Sequence, residues 1–490
     1  MTAQTILPAN TLSSGFDVAN SLRFNDDSSD YLSQTYSSSG NQRTFTISFW
    51  FKRGNLANGN IYTYQDASNE IRSEFILYDD YMKIVFNPTG SEWSADMIVQ
   101  ENGTNVLFRD TSAWYHVVMA IDTTQGTEAN RIKVYINGNQ KAMSAYPSEN
   151  FDTGYNTDIV HSVGSYIHAA NTFFDGYFAE FCVIDGSQLA ATSFGEFDED
   201  SAIWKPKNPA GLTFGTNGFY LQFKESGTSA NASGMGADTS GNDHHFTVHN
   251  LTADSQTTDT CTNNFATLNV NNGTGSRTSN DVYTEGNTIV VPSSHDNYTT
   301  TFATMGAKNG KWYWEAQSIV EGTASNAYYP RTIGIMTDNN PLTASTLGQD
   351  EFSWDVVYNS GNWDASHNNS VVVNDMSTNR TSGNILQFAL DLDNGKFYFG
   401  IGGSYLNSGD PTTGSTGTGA IHTLSAADLS NFIIPAVTNA TTGTYYKFNF
   451  GNPAFSISSG NADANGYGNF EYAVPSGYFA WCSKNLAENG

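Results

Sequence analysis

The chain has 490 residues, of which 13% are aromatic and only 14% charged. Its 21 Lys and Arg stand against 48 Asp and Glu, a formal charge of −27. That balance excludes a nucleic-acid partner, because phosphate binding needs a basic footprint, and no segment is long and apolar enough to suggest membrane insertion.

The length suits two or three domains, and abundant Thr, Ser, Asn and Gly suit strands joined by turns rather than helices. Residues 1–8 lack a basic stretch followed by a long apolar run, so no Sec-type export signal is expected. Cys182, Cys261 and Cys482 are too few and too far apart for a disulfide framework or a zinc site. Cys182 reads as a small apolar core residue.

The first region runs from about Ser21 to Asp200. Ser21–Phe24, Thr44–Phe51, Ile71–Phe86, Tyr115–Ile121 and Arg131–Ile136 read as strands, punctuated by Asp26-Asp27, Gly54-Asn55 and Asn137-Gly138. Trp204-Lys-Pro-Lys-Asn-Pro209 marks a boundary, since two prolines disfavour strand continuation. Beyond it Gly218–Phe223 is a clear strand, Ser226–Asp243 a Gly/Ser/Asn-rich loop, and Phe246–Leu251 a further candidate strand. This piece is too short and polar to bury a core alone.

The third region contains candidate strands at Asn287–Val291, Lys311–Ala316, Ile333–Met336, Phe352–Tyr358, Phe432–Val437 and Tyr445–Phe450. Its clearest element is a hairpin. Leu386, Phe388, Leu390 and Leu392 alternate with Gln387, Ala389 and Asp391, Asn394-Gly395 supplies the turn, and Lys396–Phe399 returns. Gly402–Gly419 reads as a long loop, and Ser425–Asn431 as a single helical turn capped by Ser425.

Two resemblances follow. Ser21–Leu32, Phe45–Phe51, Trp114–Val118, Ile132–Gly138 and Phe174–Phe181, in this order, resemble the laminin-G-like (concanavalin-A-like, pentraxin-related) family, which implies a two-sheet antiparallel jelly roll. Gly310–Glu315, Ile333–Ile335, the hairpin and Asn449–Phe455 resemble SPRY domains, which implies a β-sandwich that recognises partners through its loops. The expected fold is therefore all-β: tandem antiparallel sandwiches with a short bridging β segment. Residues 1–200 form the laminin-G-like sandwich, 201–275 the bridge packing on its neighbours, and 276–490 the SPRY-like sandwich.

Concanavalin-A-like folds include glucanases, which resemble one another in a Glu-x-Asp-x-Glu strand that points three carboxylates at one sugar. Glu196, Asp198 and Asp200 are the nearest match, but Glu199 and the following boundary read as an acidic linker. No catalytic residue is assigned. The pentraxin resemblance raises calcium, with Asp66 and Asn69 as candidate ligands, although Ser68 stands where a ligand Asp would be. Asp26, Asp27 and Asp30 read as turn residues. His244, His245 and His249 read as surface or turn histidines rather than ligands.

Aromatics among turn residues are the remaining signal. Trp93, Tyr328, Tyr329 and Trp363, with Asp364, are the candidate ligand-binding residues, because an aromatic face flanked by Asn and Asp suits a sugar. The competing reading is that they cap the sandwich ends. Trp50, Trp312 and Trp314 lie in strand patterns and read as structural.

The linking segments Trp204–Pro206, Gly218–Phe223, Asp238–Asn242, Thr262–Leu268 and Pro475–Leu486 make the whole resemble virion proteins of marine tailed bacteriophages. That resemblance implies a non-enzymatic tail fibre or a capsid fibre or decoration protein, assembled in the host cytoplasm and displayed on the virion surface. Its implied partners are other capsid or tail proteins and a host-surface carbohydrate or glycoprotein. A homo-oligomer is compatible with either role. The alternatives are a glycan depolymerase acting through the laminin-G-like domain, and a secreted bacterial adhesin.

Overall fold

The computed structural model describes residues 15–68, 70–90, 95–166, 172–274, 282–292, 299–320, 332–342, 346–359, 361–439 and 443–490. The chain is all-β, with 43% of residues in strands and 6% in helices, in tandem antiparallel sandwiches. It divides into two compact units. The first comprises Leu12–Asn263 with Thr284–Gly286, and the second comprises Asn264–Tyr283 and Asn287–Gly490, together with Met1–Thr11.

The first unit is organised around the strand Thr44–Arg53, which pairs with Tyr115–Asp122 on one side and Gly176–Asp185 on the other. Phe45, Ile47, Phe49 and Phe51 point one way, toward Tyr62, Tyr64, Phe75, Leu77 and Ile84 of a second sheet. That sheet runs through Tyr31–Thr35, Val160–Val163, Tyr62–Gln65, Arg72–Tyr78 and Tyr81–Asn87. Thr46, Ser48, Trp50 and Lys52 point the other way, as period-2 alternation demands, yet they are buried too. The cover is a second apolar layer that includes Trp114, Trp204, Phe214, Tyr220 and Cys261.

Residues 201–263 thus contribute to the first sandwich. Phe219–Leu221 pairs with Gly176–Asp185, Thr247–His249 with Tyr31–Thr35, and Gln256–Thr257 with Ser21–Phe24. The bridging stretch read from sequence divides at Asn263/Asn264 between the two units. Beneath the second layer Lys52 and Asp259 form a buried ion pair at 2.8 Å, and Trp114 Nε1 donates to the same carboxylate at 3.0 Å.

In the second unit the hairpin forms in the register its alternation implies, with Leu386 opposite Ile401, Phe388 opposite Phe399 and Leu390 opposite Phe397. Gly395 takes a positive φ of 62°, which a side chain would strain. Asp391 steadies the turn by accepting from Asn394 N at 3.0 Å and Nδ2 at 2.9 Å. The hairpin packs beside Lys311–Val320, and Trp312, Trp314 and Phe388 enter a core shared with Ile333, Ile335, Trp354 and Val437 of the opposing sheet.

The single turn expected at Ser425–Asn431 is a 3-10 turn at Asp428–Ser430. Ser425 N donates to Asp428 Oδ2 at 2.7 Å, and Asp428 N donates back to Ser425 Oγ at 3.3 Å. The helix Ser483–Asn489 was not foreseen. It follows a clamp between the unit's first and last segments. Ala266 N donates to Trp481 O (2.9 Å), Ser483 N to Asn264 O (2.8 Å), and Asn264 N to Ser483 Oγ (2.9 Å).

Candidate functional site

The strand Arg72–Tyr78 sends Phe75 and Leu77 into the core, so Arg72, Glu74, Ile76 and Tyr78 line the outer face of the sheet. With Asn58, Asn60, Tyr166 and Thr172 they enclose a depression of about 300 Å³. A second depression of about 410 Å³ adjoins it, sharing Asn58 and Thr172 and adding Asp26, Asp27, Ser29, Ala57 and Phe173. Together they make one groove in the first unit, mainly apolar at the Tyr78–Tyr166 end and more polar at the Asp26–Asp27 end.

The groove's groups are held in place. The Arg72 guanidinium lies 5.6 Å from the Tyr166 ring centroid. Lys83, opposite Ile76 in the neighbouring strand, reaches Glu74 at 3.5 Å and sits 4.9 Å from the centre of the Tyr78 ring. Asn60 Nδ2 donates to Thr172 O at 3.0 Å and to its Oγ1 at 2.6 Å. That leaves Asn60 Oδ1 buried with no hydrogen-bond partner among the described residues, an acceptor suited to a hydroxyl. At the other end Tyr31 stacks on His249 with ring centroids 4.0 Å apart, and Phe173 packs on Tyr31 at 6.1 Å.

A larger depression of about 560 Å³, lined by Gly40–Arg43, Asp152, Asp185–Gly186 and Gly215–Thr216, is a weaker candidate. Its charged groups are committed to one another and to the backbone. Arg43 forks onto Asp152 at 2.6 and 3.1 Å. Asp185 accepts from Asn41 N (2.8 Å), Asn217 N (3.0 Å) and Asn156 Nδ2 (3.3 Å).

Of the residues singled out in the sequence, Trp93, Tyr328, Tyr329 and Asn69 lie outside the described residues. Trp363 is corrected: it is fully buried rather than exposed in a loop. Asn362, opposite Asn359, opens the returning strand Asn362–His367, and Trp363 follows opposite Tyr358. There it packs on Phe399 at 5.2 Å and donates from Nε1 to Asn379 O at 2.8 Å. Asp364 is nearly buried beside it and accepts from Asp375 N at 2.8 Å.

Asp66 is committed to its own turn, accepting from Ser68 Oγ (2.5 Å), Glu70 N (3.0 Å) and Ile71 N (3.1 Å). Asp198 likewise holds a turn through Asp200 N and Ser201 N, and both it and Glu196 face Lys205. Its hydrogen bonds, that from Ser201 N foremost, lower its pKa to about 2. The three histidines do not converge: His249 hydrogen-bonds Ser33 Oγ at 2.8 Å, His244 meets Thr216 O, and His245 Nδ1 accepts from Asp238 N. Among the described residues no three His, Cys, Asp or Glu side chains are grouped as metal ligands, and no helix is long and apolar enough to cross a membrane.

Sequence reasoning missed Asn58, Asn60, Arg72, Glu74, Tyr78 and Tyr166. The one local signal was the Arg-x-Glu-x-Ile-x-Tyr alternation at 72–78, which puts charge and an aromatic on a single strand face.

Residues 26–191 match the model of the concanavalin A-like lectin/glucanases superfamily. They form a laminin-G-like domain. Similar solved structures include the SPRY domain of human HERC1, at 15% identity over 37% of this chain and 96% of that one, with a TM-score of 0.24. A heptameric SAP-like pentraxin from Limulus polyphemus is similar at 15% identity over 36% and 80%, with a TM-score of 0.26. Domains LG4-5 of the mouse laminin alpha1 chain are similar at 9% identity over 95% and 99%, with a TM-score of 0.28. Comparison with curated proteins gives no match. The laminin-G-like domain is a lectin-type β-sandwich, compatible with carbohydrate binding, and no enzyme family is found.

Proposed function

We propose that the protein is a non-enzymatic surface protein of a tailed-phage virion, a tail fibre or a capsid fibre or decoration protein, and that its laminin-G-like domain binds host-surface glycan. The groove carries the glycan reading. Tyr78, which is exposed, offers an apolar face to a pyranose ring, while Asn58 and Arg72 offer hydrogen-bond partners for its hydroxyls. The groove's Glu74 is held by Lys83 and its Asp26 by the Asn55 amide, which favours binding over acid–base work. The virion setting is supported by the resemblance of the linking segments to marine phage virion proteins. Its partners would be other capsid or tail proteins.

The test is host-polysaccharide binding by the full chain, with Tyr78→Ala, a change at an exposed side chain, expected to weaken it at least tenfold at a nearly unchanged melting temperature. Release of new reducing ends from the polysaccharide would replace this reading with a depolymerase. Labelled antibody that decorates host cytoplasm but not intact particles would end the virion assignment.

A further inference from the structure

We propose that the first unit forms an intramolecular isopeptide bond, an amide between Lys52 Nζ and Asp259 Cγ made with loss of water. The two side chains meet at 2.8 Å with 1% and 0% of their surface exposed. Lys83, Lys141, Lys205 and Lys311 also meet carboxylates, but each keeps 13% to 25% of its side chain exposed. Arg23 and Arg53 are buried beside acids, yet a guanidinium keeps its proton and is no nucleophile. Lys52 combines a primary amine, full burial and a carboxylate at contact distance, the setting in which a lysine becomes a nucleophile.

Both reacting groups stand on fixed backbone. Lys52 lies in the central strand Thr44–Arg53, opposite Tyr177. Asp259 comes just after the short strand Gln256–Thr257, and its carbonyl accepts from Ser21 Oγ at 2.5 Å. Thr260 and Asn263, directly beyond it, exchange backbone hydrogen bonds at 3.1 Å. Neither group has to travel, and a pair held at contact distance reacts as though at a very high concentration.

The surroundings divide the two carboxylate oxygens between two roles. Oδ2 faces the amine, whereas Oδ1 accepts from Trp114 Nε1 at 3.0 Å. The indole donor therefore already sits on the oxygen that takes up negative charge when the amine adds to Cγ. Aromatic rings wall the pair: the Tyr177 ring centre lies 5.5 Å from Nζ and 6.1 Å from the Trp114 ring.

The step balances without a further reagent. A proton passes from the ammonium to Oδ2 along their hydrogen bond, which removes two charges from a site that excludes water. The amine lone pair then forms the N–C bond at Cγ, and the displaced electron pair moves onto Oδ1. As the double bond to Oδ1 re-forms, the Cγ–Oδ2 bond breaks. Oδ2 leaves as water, carrying its own proton and one from the nitrogen. The products are one neutral secondary amide and one water, and the dry site opposes hydrolysis. The bond ties the middle strand of the sandwich to a segment 207 residues away, beside the Cys261 that helps to cover that strand's outer face. It depends on neither the glycan nor the virion reading.

The test is the intact mass of the folded full chain, measured after denaturation. It should lie about 18 Da, one water, below the mass of the sequence. A protease digest should contain the peptide bearing Lys52 joined to the peptide bearing Asp259. Lys52→Met and Asp259→Ala should each keep their full mass, whether or not they fold. Asp259→Asn, which preserves the shape, should condense with loss of ammonia, about 17 Da, in place of water. A folded chain of full mass, a water loss that maps to other residues, or a loss that persists in Asp259→Ala would each overturn the bond.

Discussion

The two units differ in whether they bury cations beside their acids. In the first unit acids meet cations: Asp259 meets Lys52, Glu285 meets Arg23, and Asp80 meets Arg53 at 3.1 Å. In the second unit they meet amides and hydroxyls. Glu315 accepts from Tyr313 OH (2.9 Å), Asn449 Nδ2 (3.2 Å), Glu471 N (3.0 Å) and Tyr472 N (2.9 Å). Asp463 accepts from Asn465 N, Tyr467 N, Ala480 N and Asn485 Nδ2. A carboxylate ringed by neutral donors pins loops and exposes no second charge to loss. A buried ion pair is only as safe as both partners, because removing one strands the other. Asp30, Asp185 and Asp238 in the first unit, which accept from backbone amides and hydroxyls, and the Lys311–Asp391 pair in the second depart from the pattern.

The largest test of this contrast is Glu315→Ala. It leaves four donors unmet and should destabilise the second unit by on the order of 4–5 kcal/mol, read as lost hydrogen-exchange protection in that unit's strands. Lys52→Met should cost the first unit about 3–4 kcal/mol by stranding Asp259, and adding Asp259→Asn should recover more than half. The matched change in the second unit, Lys311→Met, should cost less than about 1 kcal/mol, since Lys311 is partly exposed and Asp391 keeps its bonds from Asn394. Equal losses for the two lysines would erase the distinction.

Glu180 sharpens the comparison from another side, because it is a buried acid of the first unit bonded to the Tyr220 hydroxyl rather than ion-paired. It stands at a bulge in the strand Gly176–Asp185 with a φ of 50°. Burial raises its pKa from 4.5 to about 7. The folded state therefore holds a proton that the unfolded chain gives up. The resulting stability is complete below pH 4.5 and is lost as pH rises through about 7. Glu180→Gln should flatten that slope, which amounts to about 3 kcal/mol, in unfolding measured from pH 4 to 8. The smallest effect belongs to Arg43→Ala. Both partners of its pair with Asp152 are about half exposed, so calorimetry should find a change under about 1 kcal/mol.

Local signals made much of this fold legible. The hairpin was plain because alternation and Asn394-Gly395 agree, and Thr44–Phe51 because Phe45, Ile47 and Phe49 alternate with Thr44, Thr46 and Ser48. What the alternation could not convey is that Thr46, Ser48 and Lys52 are buried as well, because their cover arrives from Trp204, Tyr220 and Cys261, far along the chain. Trp363 misled for a related reason. Gly361 does mark a turn, but the strand resumes at once at Asn362 and carries the indole inward. The groove was illegible because Tyr166 and Thr172 meet Arg72–Tyr78 only through the pairing of distant strands.

The clamp of Asn264 and Ala266 against Trp481 and Ser483 bears on how such a domain could travel between genes. Its two boundaries lie side by side, so the piece needs no spacer to be set into a surface loop of another protein, although cutting it out also removes Thr284–Gly286 from the first unit. The first unit closes in the same manner, Val18 bonding in both directions with Thr262 Oγ1 at 3.1 Å. Each half is therefore suited to grafting and to circular permutation.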